Sequence, residues 1–186
     1  MRTKLISLSL VLLMGMSVWA QEPVTVSVYE DCSKNGKTED IRPSGEENGH
    51  TWVNLGLSVR WASCNIGATA PEDYGNYYAW GETETKADYS WATYKHANGA
   101  ENKLTKYCND ASYGDNGFTD DKTTLEPEDD AAHVNWGGVW RMPTDAEWTE
   151  LREQCTWTWT TLNGVYGCQV TSKINSNSIF LPAAGY

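Results

Sequence analysis

Apolar and polar residues alternate in short runs along most of the chain, and Gly, Pro, Asn and Asp separate the runs. Alternation with a period of two is typical of half-buried strands, and the separating residue types favour turns. The sequence therefore predicts short strands joined by long connections. The predicted strands are Val24 to Tyr29, Thr51 to Leu55, Val59 to Ser63, Tyr77 to Trp80, Thr156 to Thr161, Val165 to Thr171 and Ser178 to Ala183.

A turn dipeptide joins two of these runs. Asn163-Gly164 separates residues 156–161 from residues 165–171. Two-residue hairpin turns favour Asn and Gly because both central residues take a positive φ. The pattern predicts a β-hairpin, and within its first strand Trp157 and Trp159 share one face because they are two residues apart.

One stretch has the three-and-four spacing of an amphipathic helix. Thr144 stands before it as an N-cap and Glu147 follows three residues later, which is the pattern of a capping box. The sequence predicts a helix from Asp145 to about Gln154. Its predicted buried stripe is Trp148, Leu151 and Cys155.

A shorter helix is predicted from Glu128 to Asn135. Asp129 and Asp130 would lie at its positively polarised start, and Gly137-Gly138 would end it. The preceding residues 84–126 combine aromatic side chains with Gly, Asn and Asp and show no regular period. They are predicted to form long ordered loops, and loops of this length are often functional.

Residues 1–20 have the layout of a cleavable signal peptide. Arg2 and Lys4 precede an apolar run from Leu5 to Met16, and small residues at Val18 and Ala20 precede the cleavage position. The apolar run is shorter than a transmembrane helix requires. We therefore expect an exported chain that is secreted, periplasmic or displayed on the cell surface.

Composition divides the remaining chain at about His50. Residues 21–49 are polar and acidic apart from one strand-like run, which predicts a flexible N-terminal spacer. Residues 50–186 hold nearly all of the tryptophans and tyrosines and are predicted to form one domain. The chain stops at Tyr186 directly after a strand-like run, so this domain is predicted to be incomplete at its C-terminus.

The chain is acidic, with a formal net charge of −11, and loss of Arg2 and Lys4 with the signal makes the exported form more so. Such a charge repels phosphate groups and anionic membrane surfaces, which argues against nucleic acid or lipid as the partner. No second apolar stretch predicts membrane insertion after cleavage. The expected partner is an extracellular glycan or protein.

Five cysteines stand in the exported part, where disulfides can form, and their spacing does not select a pairing. Cys155 and Cys168 flank the predicted hairpin, so a cross-strand bridge and plain burial are both open. The three histidines stand far apart and no Cys-x-x-Cys pair is present, so no metal site and no cofactor are expected.

Several stretches resemble a known family. Residues 140–148, Trp-Arg-Met-Pro-Thr-Asp-Ala-Glu-Trp, resemble a signature shared by sulfatase-modifying-factor-like proteins and by the Fibrobacter succinogenes major paralogous domain of secreted bacterial proteins. Four further stretches resemble successive blocks of that paralogous domain. They are residues 53–67, 73–82, 122–136 and 177–185.

The resemblance implies an α+β domain of C-type-lectin-like fold, with a small twisted antiparallel sheet, two helices and long loops. In that fold the chain returns beyond Tyr186 to supply further strands, which agrees with the predicted truncation. The formylglycine-generating relatives use a cysteine pair and a copper ion late in the chain. This sequence lacks that region or does not match it.

The exported chain carries no nucleophile elbow, no His-Glu-x-x-His helix and no phosphate-binding loop. Aromatic residues in the polar loops are the candidate ligand contacts, because exposed rings stack on ligands and anchor interfaces. These candidates are Trp91, Tyr94 and Tyr113. The tryptophans inside the family blocks are expected in the core, namely Trp61, Trp80, Trp140 and Trp148.

We therefore expect a secreted or surface-displayed, non-catalytic binding module whose ligand is a glycan or a protein. Two alternatives stay open. One is a diverged sulfatase-modifying-factor-like enzyme with catalytic cysteines beyond the chain end. The other is a structural or adhesin segment of a larger surface protein.

Overall fold

A computed structural model describes residues 28–29 and 42–185. The predicted signal peptide, most of the predicted spacer, Cys32 and Tyr186 lie outside the described residues. The described part is a mixed α and β structure with two small antiparallel sheets and few helices. Its strands are β1 Val28–Tyr29, β2 Ser44–Glu47, β3 His50–Val53, β4 Arg60–Ala62, β5 Trp140–Arg141, β6 Cys155–Leu162, β7 Val165–Ser172 and β8 Ser178–Pro182.

The first sheet has the strand order β2-β3-β4-β1-β5. β2 and β3 form a tight hairpin through Asn48 and Gly49, both of which take a positive φ. β1 pairs with β4 on one side and with β5 on the other. Because β1 and β2 fall within residues 21–49, the ordered sheet begins before the boundary predicted at His50.

The second sheet confirms the predicted hairpin. β6 and β7 pair over all eight residues of each strand, and β8 continues the sheet beside β7. Asn163 has a φ of 49° and Gly164 a φ of 87°, as a turn with two positive-φ residues requires. The run at Tyr77 to Trp80, by contrast, is not a strand.

The α-helices of the described ranges are α1 Ala131–Trp136, which precedes β5, and α2 Asp145–Gln154, which follows it. The start of α2 confirms the predicted capping box, because the Thr144 hydroxyl accepts from Glu147 N and the Glu147 carboxylate accepts from Thr144 N at 2.7 Å. A short 3-10 helix, Pro127–Asp129, precedes α1. The predicted helix from Glu128 is therefore two short elements with Asp130 at their junction. No helix of the described ranges is long and apolar enough to cross a membrane.

The buried apolar residues form two groups. The first lies between α2 and the β6–β8 sheet and contains Leu55, Val59, Trp61, Leu151, Cys155, Cys168, Val170, Ile179 and Leu181. The second surrounds α1 and contains Trp52, Ala62, Ile66, Tyr78, Ala131, Ala132, Trp136, Trp140 and Met142. Trp61 and Trp140 are fully buried as expected, whereas Trp80 and Trp148 are only half-buried.

Candidate functional site

A cleft of about 220 Å³ opens between the start of α1 and the segment that joins β5 to α2. Its apolar wall includes Trp80 and Leu125, and its polar lining includes His133, Arg141 and Thr144. The volume corresponds to roughly seven water molecules of liquid. It is smaller than the ~300 Å³ at which typical ligand pockets begin. The cleft therefore suits one side chain or one sugar ring better than a cofactor.

Arg141 reaches the cleft in a fixed orientation. Its guanidinium donates two hydrogen bonds to the Glu147 carboxylate, at 2.9 and 2.5 Å. Burial raises the pKa of Glu147, but the hydrogen bonds from Arg141 and from Thr144 N outweigh burial and hold that pKa below its usual value. Glu147 is therefore ionised, and the charge of Arg141 is compensated within the protein.

Asp130 forms one wall of the cleft but is fully engaged in holding it together. Its carboxylate accepts hydrogen bonds from Ala132 N at 2.9 Å and His133 N at 3.0 Å, which caps α1. The other oxygen accepts from Met142 N at 2.8 Å, which joins the start of α1 to the segment after β5. Asp130 thus has the predicted helix-start role. Its three backbone donors suit it to a structural function.

Asp129 does not have the helix-start role that the sequence suggested. It is 2% exposed and accepts hydrogen bonds from Lys95 Nζ at 2.6 Å, Lys106 Nζ at 2.5 Å and the Tyr107 hydroxyl at 2.9 Å. Burial raises the pKa of Asp129, but the bonds from Lys106, Lys95 and Tyr107 outweigh it and lower the pKa well below its usual range. This carboxylate pins the loop region onto the segment before α1.

The three predicted contact residues have different environments. Tyr94 is 7% exposed, and its hydroxyl donates to Trp80 O at 2.9 Å. Burial raises the pKa of this phenol. Tyr94 therefore belongs to the interior and is not a surface contact. Trp91 packs edge-on against Tyr94 with ring centroids 5.6 Å apart and is half-buried, as is Tyr113.

Sequence reasoning missed the aromatic residues that are most open to solvent in the hairpin. Trp159 is 44% exposed and Tyr166 is 62% exposed, and their rings stack with centroids 6.2 Å apart and planes 11° apart. Trp80 and Arg141, which line the cleft, were also not predicted as site residues. Both lie in stretches that carry the family resemblance, and this resemblance is the sequence feature that could have marked them as candidate site residues.

The described cysteines do not form the cross-strand bridge that the hairpin allowed. Cys155 lies opposite Ser172 and Cys168 lies opposite Trp159, so the two thiols are not register partners. Both are free and buried, and burial raises the pKa of each. Buried thiols of raised pKa react slowly because the thiolate is the reactive form. Within the described ranges, no group of three His, Cys, Asp or Glu side chains could hold a metal ion.

Comparison with known proteins identifies no relative. No family model matches the chain, and neither the curated proteins nor the solved structures contain a match. The resemblance of residues 53–67 and 140–148 to the paralogous domain therefore stays a prediction from those residues.

Proposed function

We propose that this chain is an exported, non-catalytic binding module of C-type-lectin-like fold, and that its glycan or protein ligand places one ring or side chain in the cleft. The observation that carries the proposal is the cleft itself. It is concave, it presents the half-buried Trp80 beside fixed polar groups, and it is formed by residues from several of the stretches that carry the family resemblance. An apolar wall with a few oriented polar groups is typical of ligand sites.

The chemistry of the cleft favours binding over catalysis. Asp130 accepts three backbone hydrogen bonds and Glu147 is paired with Arg141, so neither carboxylate is placed to exchange a proton with a ligand. The enzyme alternative places its cysteine pair beyond Tyr186, so the buried Cys155 and Cys168 do not bear on it. The acidic net charge supports a neutral or cationic ligand over a phosphorylated one.

The proposal is tested on the mature chain with a glycan array and with a pull-down of extracellular proteins. The best ligand is then titrated against Trp80→Ala and a matched control, Trp91→Ala. Both residues are half-buried tryptophans, but Trp91 is outside the cleft. We expect Trp80→Ala to raise the dissociation constant about thirtyfold, as loss of an interface anchor of about 2 kcal/mol would. Trp91→Ala should stay within about threefold of the parent.

Two outcomes would contradict the proposal. Blank results in both screens would argue against a binding module of this kind. Loss of affinity in Trp91→Ala with full affinity in Trp80→Ala would move the ligand from the cleft to the loop region.

A further inference from the structure

Among the described residues, strand β6 is an edge of the β6-β7-β8 sheet and lacks the sequence features that usually protect an edge. Its residues, Cys155–Leu162, include no proline and no charged side chain. Its register with β7 is uninterrupted over all eight positions, so it contains no bulge. Natural edge strands carry prolines, charged side chains or bulges because an open edge is a template for pairing with another chain.

The turn geometry identifies which backbone groups face outward from this edge. In a hairpin with a two-residue turn, the closing pair Leu162 and Val165 exchanges both hydrogen bonds, and every second pair does the same. The N–H and C=O groups of the intervening residues therefore point away from β7. Beyond Cys155, which is the C-cap of α2, these residues are Trp157, Trp159 and Thr161. No residue of the described part donates to or accepts from those outward groups.

The charge distribution favours a second copy of the same chain at this edge. From Cys155 to the end of the sequence, Lys173 is the single charged residue, although the whole chain has a net charge of −11. Two copies would repel each other through their acidic N-terminal parts. They can meet through β6 without placing like charges together, whereas a charged partner gains no complementary group on this strand.

We propose that two copies of this chain pair through β6 in an antiparallel, two-fold arrangement centred on Trp159. Trp159 then lies opposite its own counterpart, and Trp157 lies opposite Thr161 of the other copy in both directions. These three pairs supply roughly six backbone hydrogen bonds, two for each pair. A two-fold contact uses the same residues on both copies, so one open strand is sufficient.

The aromatic stack adds side-chain contact to the same arrangement. Trp159 and Tyr166 lie on one face of the hairpin and already stack on each other. Centring the pair on Trp159 brings the two tryptophans side by side, and cross-strand aromatic pairs stabilise sheets. The Trp159 ring is 44% exposed, so pairing removes apolar surface from water. This inference does not depend on the ligand proposed for the cleft.

The test is sedimentation velocity of the full mature chain at concentrations between ~10 µM and ~1 mM. This concentration range detects weak dimers with a small interface. We expect the mass to rise from monomer to dimer across this range. Thr161→Pro removes an outward N–H at a position where an edge strand tolerates proline. It should raise the dissociation constant of the dimer about thirtyfold, because the substitution removes one hydrogen bond donor from each copy and therefore two hydrogen bonds from the symmetric contact. Thr161→Ala, which keeps the N–H, should dimerise like the parent.

A second variant keeps the test decisive if Thr161→Pro does not fold. Trp159→Lys replaces an exposed side chain and places two like charges opposite each other, so it should abolish the dimer while circular dichroism stays that of the parent. A parent chain that is monomeric at the highest concentration would overturn the proposal. So would a dimer that persists in folded Trp159→Lys, or a β6 edge that binds an unrelated extended peptide and never a second copy.

Discussion

Replacing Asp129 by Asn tests the central ion cluster of the loop region. The substitution keeps the size of the side chain but removes the negative charge to which Lys95, Lys106 and Tyr107 donate hydrogen bonds. Breaking a buried pair by removing one partner costs ~3 to 5 kcal/mol. Lys95 is 53% exposed and can turn to solvent, so we place the loss at the low end, about 3 kcal/mol.

The assay is urea unfolding at pH 7, followed by tryptophan fluorescence. The matched control is Glu128→Gln, which makes the same change of charge at the exposed neighbouring position. Surface substitutions of this kind usually stay within about 0.5 kcal/mol. A chain of this size should also lose roughly 6 to 12 °C of melting temperature in Asp129→Asn.

The pH dependence of the free energy of unfolding independently checks whether the Asp129 charge stabilises the fold. The pKa of Asp129 in the folded chain lies below its unfolded value, so its stabilising effect is fully present above the unfolded pKa of about 3.9. That effect is lost as the pH falls through the folded pKa. The difference between the parent and Asp129→Asn should therefore be constant near neutral pH and shrink below about pH 4. A difference that matches Glu128→Gln, or that is the same at pH 3 and pH 7, would refute the reasoning.

Three further predictions concern local structure. Thr144→Ala should cost about 1 kcal/mol in urea unfolding because it removes the N-cap of α2, and an unchanged midpoint would contradict that role. Gly167→Ala should lower the free energy of unfolding by about 1 to 3 kcal/mol, because the added Cβ would lie 2.4 Å from Leu181 O. At Gly164 an added Cβ meets no atom within 4 Å, so Gly164→Ala should cost about 1 kcal/mol through its positive φ alone. Equal losses in the two variants would argue against close packing at Gly167. Alkylation in denaturant without reductant should label at least the four described thiols, and mass spectrometry showing fewer would reveal a disulfide.

The elements that could be predicted from the sequence depend on residues close together along the chain. Thr144 and Glu147 define the start of α2 within one helical turn, and Asn163-Gly164 defines the hairpin within two residues. Their chemistry is local, so no knowledge of distant partners is needed. The α and β content and the antiparallel pairing near the chain end follow from the same signals.

The residues that could not be predicted depend on distant partners. Asp129 is bonded to Lys95 and Lys106, which stand 34 and 23 positions away in irregular loops, so its position next to Asp130 suggested a helix-start charge. Tyr94 is in a polar stretch, yet its hydroxyl bonds to Trp80 O and its ring is buried. Loop sequences carry no period from which such burial can be inferred.

The cleft illustrates the same limit at the candidate site. Trp80 comes from an irregular segment, Asp130 from the start of α1 and Arg141 from β5. Each residue has an ordinary local pattern, and only the packing of the three segments brings them together. The sequence contained the residues but not the information that they share one surface.

The most direct measurement of the central claim is an indole N–H NMR titration of the mature chain with the best ligand from the screens. The ligand should shift the Trp80 signal, because Trp80 lines the cleft, and should leave the Trp91 and Trp159 signals unchanged, because they lie outside it. Saturable shifts confined to Trp91 or Trp159, with Trp80 unchanged, would contradict binding in the cleft.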